Sequence, residues 1–317
     1  MDLLFNDLSI HGQLADASKF RSAIGRVMAM RSLAQQYGRE IYCLRDLTLR
    51  QVGPTLSFVQ AIQFLDQSER QSIIQWLRVR GPFWEDSRLH SPDDYLDYKG
   101  EVVTDTAVGE AAFCCLYADE RQLVSVAPSA WELSPVVVVL KRYDATEQAV
   151  DITNHWDKER LLLALRTAPT PVGSWVQLAQ ISRSRFTSLT FSANAFEPLN
   201  GHPFVDAASR RIVVLLDTLN RLKQSFAQDG ERTAEGHRLY QEHFTGDKAW
   251  FSDSSDTEKN EFRTDLTFEH PGKAGEVLFC TWHGKIKTPQ YRIHFSWPIR
   301  ADEPLYVVYV GPKITGR

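Results

Sequence analysis

The sequence predicts an α+β protein of two domains. A mixed α/β domain spans residues 1–170, and a second domain spans residues 171–317, where two helices pack on an antiparallel sheet of three to four strands. Three observations carry this expectation. At 317 residues the chain is about twice the length of a common single domain. The Thr-Ala-Pro-Thr-Pro segment at residues 167–171 has linker composition. The closing stretch, residues 276–317, reads as three strands joined by turns, and it follows a helix-rich segment.

Composition narrows the class. A hydrophobic content of 43%, with eight tryptophans, supplies core material, and a charged fraction of 24% is too modest for a disordered chain. No apolar run approaches the roughly 18 residues of a membrane span. The opening residues lack a basic region followed by an apolar core. A cytoplasmic protein with no membrane partner is therefore expected. Cys43, Cys114, Cys115 and Cys280 are scattered and read as reduced thiols, since neither a disulfide framework nor a zinc site has such spacing. No cofactor is expected.

In chain order, residues 3–10 form a short opening strand or an apolar arm. Phe20, Ile24, Val27, Met28 and Leu33 then fall at helical spacing over residues 17–37, and Gly38 stops the helix. Its other face carries Lys19, Arg21, Arg26 and Arg31, either a solvated face or one turned to nucleic acid. Residues 55–65 and 67–80 are two further helices, the second capped around Ser68. A polar segment follows, with Asp86, His90, Asp93 and Asp94. These residue types suit a divalent metal or acid–base chemistry, but their spacing fits no metal motif, and an acidic surface loop explains them.

Residues 101–104, 107–118 and 123–126 give a strand, a helix and a strand, a β-α-β pattern. Neither GxGxxG nor GxxxxGK[ST] is present, which argues against nucleotide binding of those types. The unbroken apolar run at residues 135–140 predicts a strand buried on both faces, at the centre of the N-terminal sheet. Residues 157–166 are a short helix. Beyond the linker come a helical segment at 175–181, a strand at 186–191 and the longest helix, at 204–228. That helix carries an apolar stripe of Val205, Ala208, Ile212, Leu215, Leu216, Leu219, Leu222 and Phe226. Residues 233–244 supply a helix to pack beside it. Residues 243–256 read as a loop, and 257–266 as a short charged helix.

The final strands, at 277–282, 291–297 and 305–311, hold the candidate functional residues. Side chains alternate along a strand, so Tyr291, Ile293 and Phe295 point one way while Arg292, His294 and Ser296 point the other. The turn chemistry of residues 287–290 predicts an antiparallel hairpin. It brings His283, Lys285 and Lys287 beside Arg292 and His294. From residue 276 onward six basic residues stand against three acidic ones, a local net charge of +3 in a chain of −4. A positive sheet face suits a phosphate-bearing partner, although strands also place Lys and Arg on solvated faces and edges.

The order of strand, two helices and closing meander, with the strings Gln290-Tyr291-Arg292-Ile293-His294-Phe295 and Leu305-Tyr306-Val307-Val308-Tyr309-Val310-Gly311-Pro312-Lys313, resembles the RelE/ParE superfamily of bacterial toxins. The resemblance covers residues 184–317, with residues 244–275 as an insertion. It implies a toxin-like or phage-defence protein that binds, and cleaves without metal, RNA at or away from the ribosome. Lys285, Arg292 and His294 would be the catalytic set, with His294 moving the proton. His283, Lys287, Arg300, Lys313 and Arg317 would bind nucleic acid, and Trp282 or Tyr309 would stack on bases. Two other classes stay open. One is a non-enzymatic subunit that docks on protein partners; the other is a metal-dependent enzyme using Asp86, His90, Asp93 and Asp105.

Overall fold

Helical periodicity and strand alternation sort the chain into helices and several small sheets, an α+β arrangement. A computed structural model describes residues 1–117 and 119–315. It divides into two units, Met1–Pro171 and Val172–Arg317.

In the first unit β1 (Asp2–Phe5) is buried because three of its four residues are apolar. Helix α1 (Ala17–Gln36) begins at Asp16, whose carboxylate accepts from the Lys19 N–H at 2.9 Å. The helix buries Phe20, Ile24, Val27 and Leu33. It returns the chain to β2 (Ile41–Tyr42), parallel to β1. The small hairpin β3 (Gln51–Gly53) and β4 (Leu56–Ser57), helix α2 (Phe58–Ala61) and helix α3 (Gln67–Ile74) follow. The cap of α3 is Asp66, not Ser68: Asp66 and Glu69 close a capping box across its first turn.

Strands β5 (Tyr95–Tyr98) and β6 (Glu101–Val102) precede α4 (Ala107–Cys115) and β7 (Arg121–Val124). Strands β8 (Val136–Lys141), β9 (Glu147–Ile152) and β10 (Asn154–His155) lead to α5 (Lys158–Thr167). The parallel sheet runs β2-β1-β7-β10. The antiparallel sheet runs β6-β5-β8-β9. Two expectations change here. The strands flanking α4 lie in different sheets, so the expected β-α-β pattern is not one parallel unit. Strand β8 is buried on one face only: Val136, Val138 and Leu140 are enclosed while Val137 is 45% exposed. A run of valines fixes a strand but does not supply a second covering layer.

The second unit contains α6 (Trp175–Arg185), β11 (Leu189–Phe191), α7 (Asp206–Gln224), α8 (Ala234–Phe244), β12 (Phe251–Asp253) and α9 (Asp256–Glu261). It ends with β13 (Thr267–Glu269), β14 (Val277–Phe279), β15 (Trp282–Ile286), β16 (Tyr291–Phe295) and β17 (Leu305–Pro312). Five strands form one sheet in the order β11-β17-β16-β15-β12. Strand β11 pairs with β17 in parallel, and the other neighbours are antiparallel.

Helix α7 lays Ile212, Leu215, Leu219 and Leu222 into a core shared with Ile286, Ile293, Phe295 and Val307. The sequence places residues 277–282 in one meander strand, but the chain breaks that run at Cys280. Strand β14 pairs with β13 in a separate hairpin, and β15 starts at Trp282. Phe251–Asp253, read as loop, forms the sheet's edge. Among the described residues no helix is long and apolar enough to cross a membrane.

Candidate nucleic-acid interface

The β15–β16 hairpin pairs Lys285 with Arg292 and His283 with His294. Like charges directly opposite each other on a sheet repel. Among the described residues Lys285, Lys287 and Arg292 form no ion pair. Burial pulls the Lys285 pKa below its ordinary value, and Arg292 and Lys287 add to the shift. Arg292 spends one guanidinium nitrogen on the carbonyls of Tyr291 (2.8 Å) and Ile286 (3.2 Å). Its buried Nε has no partner. Burial also lowers its pKa, opposed by Glu258.

The histidines behave differently from the lysines. His294 is 2% exposed and its Nδ1 lies 3.0 Å from the Cys280 carbonyl, which requires that nitrogen to donate. Phe268 of β13 and Tyr309 of β17 pack against its ring. Burial, then the neighbouring His283 and Arg292, push its pKa down to about 3. Burial, then Arg292, push His283 down to about 4. The expectation that His294 changes charge near neutral pH is therefore corrected: it is a neutral, enclosed ring, because charging it would leave a cation without water.

What encloses it is the β13–β14 hairpin, whose first strand the sequence leaves within an insertion. Phe268 lies over His294 and Tyr309 at 6.0 Å, and His270 meets Tyr306 edge-on at 4.7 Å. This face of the sheet is thus divided. Its histidine half is covered, while Arg292 and Lys285 are half-buried and Lys287 is exposed.

The remaining site residues are dispersed. Arg300 is exposed, faces Glu303 at 3.3 Å, and lines a groove of about 790 Å³ together with Asp229, Glu231, Arg232 and Asp302. With three carboxylates against two guanidiniums, that groove is a poor phosphate site. Lys313 pairs with Glu258 at 3.4 Å, and Arg317 lies outside the described residues. Neither aromatic is free to stack on a base. Trp282 is stacked on Trp297 at 4.1 Å, and the Tyr309 hydroxyl donates to the Pro312 carbonyl while its ring packs on Phe268 and His294.

The residues of the metal reading do not converge. Asp86 pairs with Arg45 at 2.6 Å, and Asp105 with Arg88 at 2.8 Å. The Asp93 N–H donates to the Ser91 hydroxyl. His90 is buried between Glu110 (2.5 Å) and the Thr104 carbonyl (2.6 Å). Burial would raise the Glu110 pKa, but Arg121 at 3.0 Å and His90 outweigh it and hold the carboxyl below its ordinary range. Among the described residues no group of three or more His, Cys, Asp or Glu is placed to hold a metal.

Two clusters escape sequence reading. One is Glu258 with Lys313 and Thr315; the Ser255-to-Glu258 spacing marks a helix cap, but nothing in it points to residues 313 and 315. The other lies where β1 and β7 end, at the switch point of the parallel sheet, the usual ligand position in open α/β sheets. There Asp7 accepts from Arg50 (2.6 Å) and the Ala107 N–H (2.9 Å). The Asn6 amide donates to Ser125, and Ser125 donates to Asn154. The protein's own groups satisfy that cluster.

No protein-family model matches the chain, and comparison with curated proteins and with solved structures finds no match.

Proposed function

We propose that the second unit binds the phosphate backbone of single-stranded RNA through Lys285, Lys287 and Arg292. The carrying observation is the cross-strand Lys285–Arg292 pair, with Lys287 adding to the repulsion and the Arg292 Nε left without a partner. Such a cluster is costly by itself and is relieved by a bound anion, whose counterions are released at the same time. The choice of RNA, and a toxin-like or defence setting, follows from the resemblance of the Arg292 strand to the RelE/ParE superfamily. His294 takes no catalytic part, since a ring held neutral and enclosed offers no proton exchange with a phosphodiester. The activity proposed is binding.

The test is fluorescence anisotropy of a labelled single-stranded RNA with the full chain, over a range of salt concentrations. Affinity should fall as salt rises, and Lys285→Ala with Lys287→Ala should weaken it by about tenfold. Binding that ignores both salt and the double variant would sink the proposal. A second reading, an interaction subunit without RNA, draws on Tyr95, Val102 and Val137, apolar residues 44 to 56% exposed on β5, β6 and β8. Under it the double variant leaves RNA behaviour unchanged.

A further inference from the structure

Glu258 stands out because a carboxylate sits against the basic side of the sheet on a segment the sequence marks as an insertion. Its Oε1 accepts from the Thr315 hydroxyl at 2.6 Å and faces the Lys313 ammonium at 3.4 Å. Its Oε2 accepts from the Ser255 N–H and hydroxyl at 3.1 and 3.2 Å, which closes the capping box of α9. Both oxygens are therefore held in place by donors. Partial burial works against its charge, but Thr315, Ser255 and Lys313 hold the carboxyl down to about 2, so it is an anion at every working pH. Its field also reaches Arg292, His283 and His294, but is not among the influences on Lys285.

The consequence concerns where negative charge is already supplied. Lys313 and Thr315 offer an ammonium and a hydroxyl, the kind of donors that a phosphate oxygen takes. A carboxylate and a phosphodiester share two terminal oxygens and one negative charge. We infer that Glu258 is an internal stand-in for an RNA phosphate, filling one end of the basic face so that the resting protein presents only Lys285, Lys287 and Arg292. This rests on the RNA-binding reading above. It adds a regulatory element: a strand that displaces Glu258 gains Lys313 and Thr315 as further contacts, and one that does not must accept a repelling carboxylate beside Arg292. The segment from α9 through β14 thus sets the affinity of the face as well as covering its histidines.

The test compares the full chain with Glu258→Gln by anisotropy, using a fluorescein-labelled oligouridylate. Glutamine removes the charge and keeps one of the two acceptor oxygens, so it retains either the Thr315 bond or the Ser255 cap. Glu258→Gln should bind about fivefold tighter, with a salt dependence steeper by about 0.7 in log–log slope for the freed Lys313. Unchanged or weaker affinity, in a background where Lys285→Ala with Lys287→Ala still weakens binding, overturns the inference and leaves the RNA reading standing. If neither the parent nor Glu258→Gln binds, both fall; binding by Glu258→Gln alone supports the inference. Should that variant lose its cooperative unfolding transition, Ser255→Ala removes one hydroxyl donor to the carboxylate without touching a proposed RNA contact, and should tighten binding about twofold. No gain there overturns the inference as well.

Discussion

Arg292 combines a poor structural position with a favourable chemical one. It faces Lys285 across the hairpin and is half-buried, with one guanidinium nitrogen unpartnered. Replacing it with a residue that suits a strand should relieve repulsion and desolvation together. Arg292→Val should therefore raise stability by about 0.5–1 kcal/mol in chemical unfolding, and lower RNA affinity in the same preparation. A variant that loses both would mean that its two carbonyl contacts, to Tyr291 and Ile286, outweigh the repulsion.

The buried histidines make a prediction about acid. His294, His283 and, in the first unit, His155 have pKa values pushed by burial to about 3, 4 and 4, below an unfolded value of about 6.5. The unfolded chain thus binds protons that the folded chain refuses. Stability from these groups is complete above pH 6.5 and declines as pH falls from there toward 4, by about 1.4 kcal/mol per pH unit for each histidine. Thermal unfolding should show this decline, and His294→Gln should make it shallower. A midpoint constant from pH 7 to 4.5 contradicts the enclosed rings. The alternation that puts Arg292 and His294 on one face is legible in the sequence. The burial of His294 is not, because the cover is Phe268, on a hairpin that no local pattern relates to β16.

Among the elements, α7 was the most legible, since an amphipathic stripe repeats over five turns and needs no knowledge of its neighbour. Its register is fixed by leucines such as Leu219, fully buried against the sheet. Leu219→Ala should cost about 2–5 kcal/mol, measured by denaturant unfolding. Strands β12 and β13 were hidden for the opposite reason, while β14 was legible as strand but not as the partner of β13. Three residues contain too little alternation to be read, and such pairs exist only because partners elsewhere accept their hydrogen bonds.

Helix α4 gives a case where backbone contact should override propensity. A Cβ on Gly109 would sit 2.3 Å from the Val103 carbonyl oxygen. Alanine favours a helix by about 1 kcal/mol over glycine, but this approach is to rigid backbone. Gly109→Ala should therefore destabilise the first unit, lowering its unfolding midpoint; a higher midpoint would show that the helix shifts freely.

At the scale of the molecule, each unit has its own buried cluster, one around Phe20, Val27 and Trp76, the other around Leu215, Phe251 and Phe295. Expressed separately, residues 1–171 and 172–317 should each unfold cooperatively, as seen by circular dichroism and near-ultraviolet signal together. A non-cooperative transition in either would show that its core is insufficient alone. The Pro-rich segment was legible as punctuation. The number and membership of the sheets were not, because hydrophobicity marks a strand without naming its neighbour.

The place of β17 has a consequence for synthesis. It is hydrogen-bonded on both sides, joining β11 to β16, and the register sets Leu189 beside Leu305. A growing chain therefore makes α6, β11, α7 and α8 long before the strand that ties them to the hairpin exists. Until residues 305–312 emerge, β11 has no partner and β16 presents an open edge, the state in which nascent chains pair wrongly or recruit chaperones. Closing a loop of more than about a hundred residues also makes the final step slow relative to hairpin formation. The five-stranded sheet that carries the basic hairpin is thus completed late, when β17 inserts between its two neighbours.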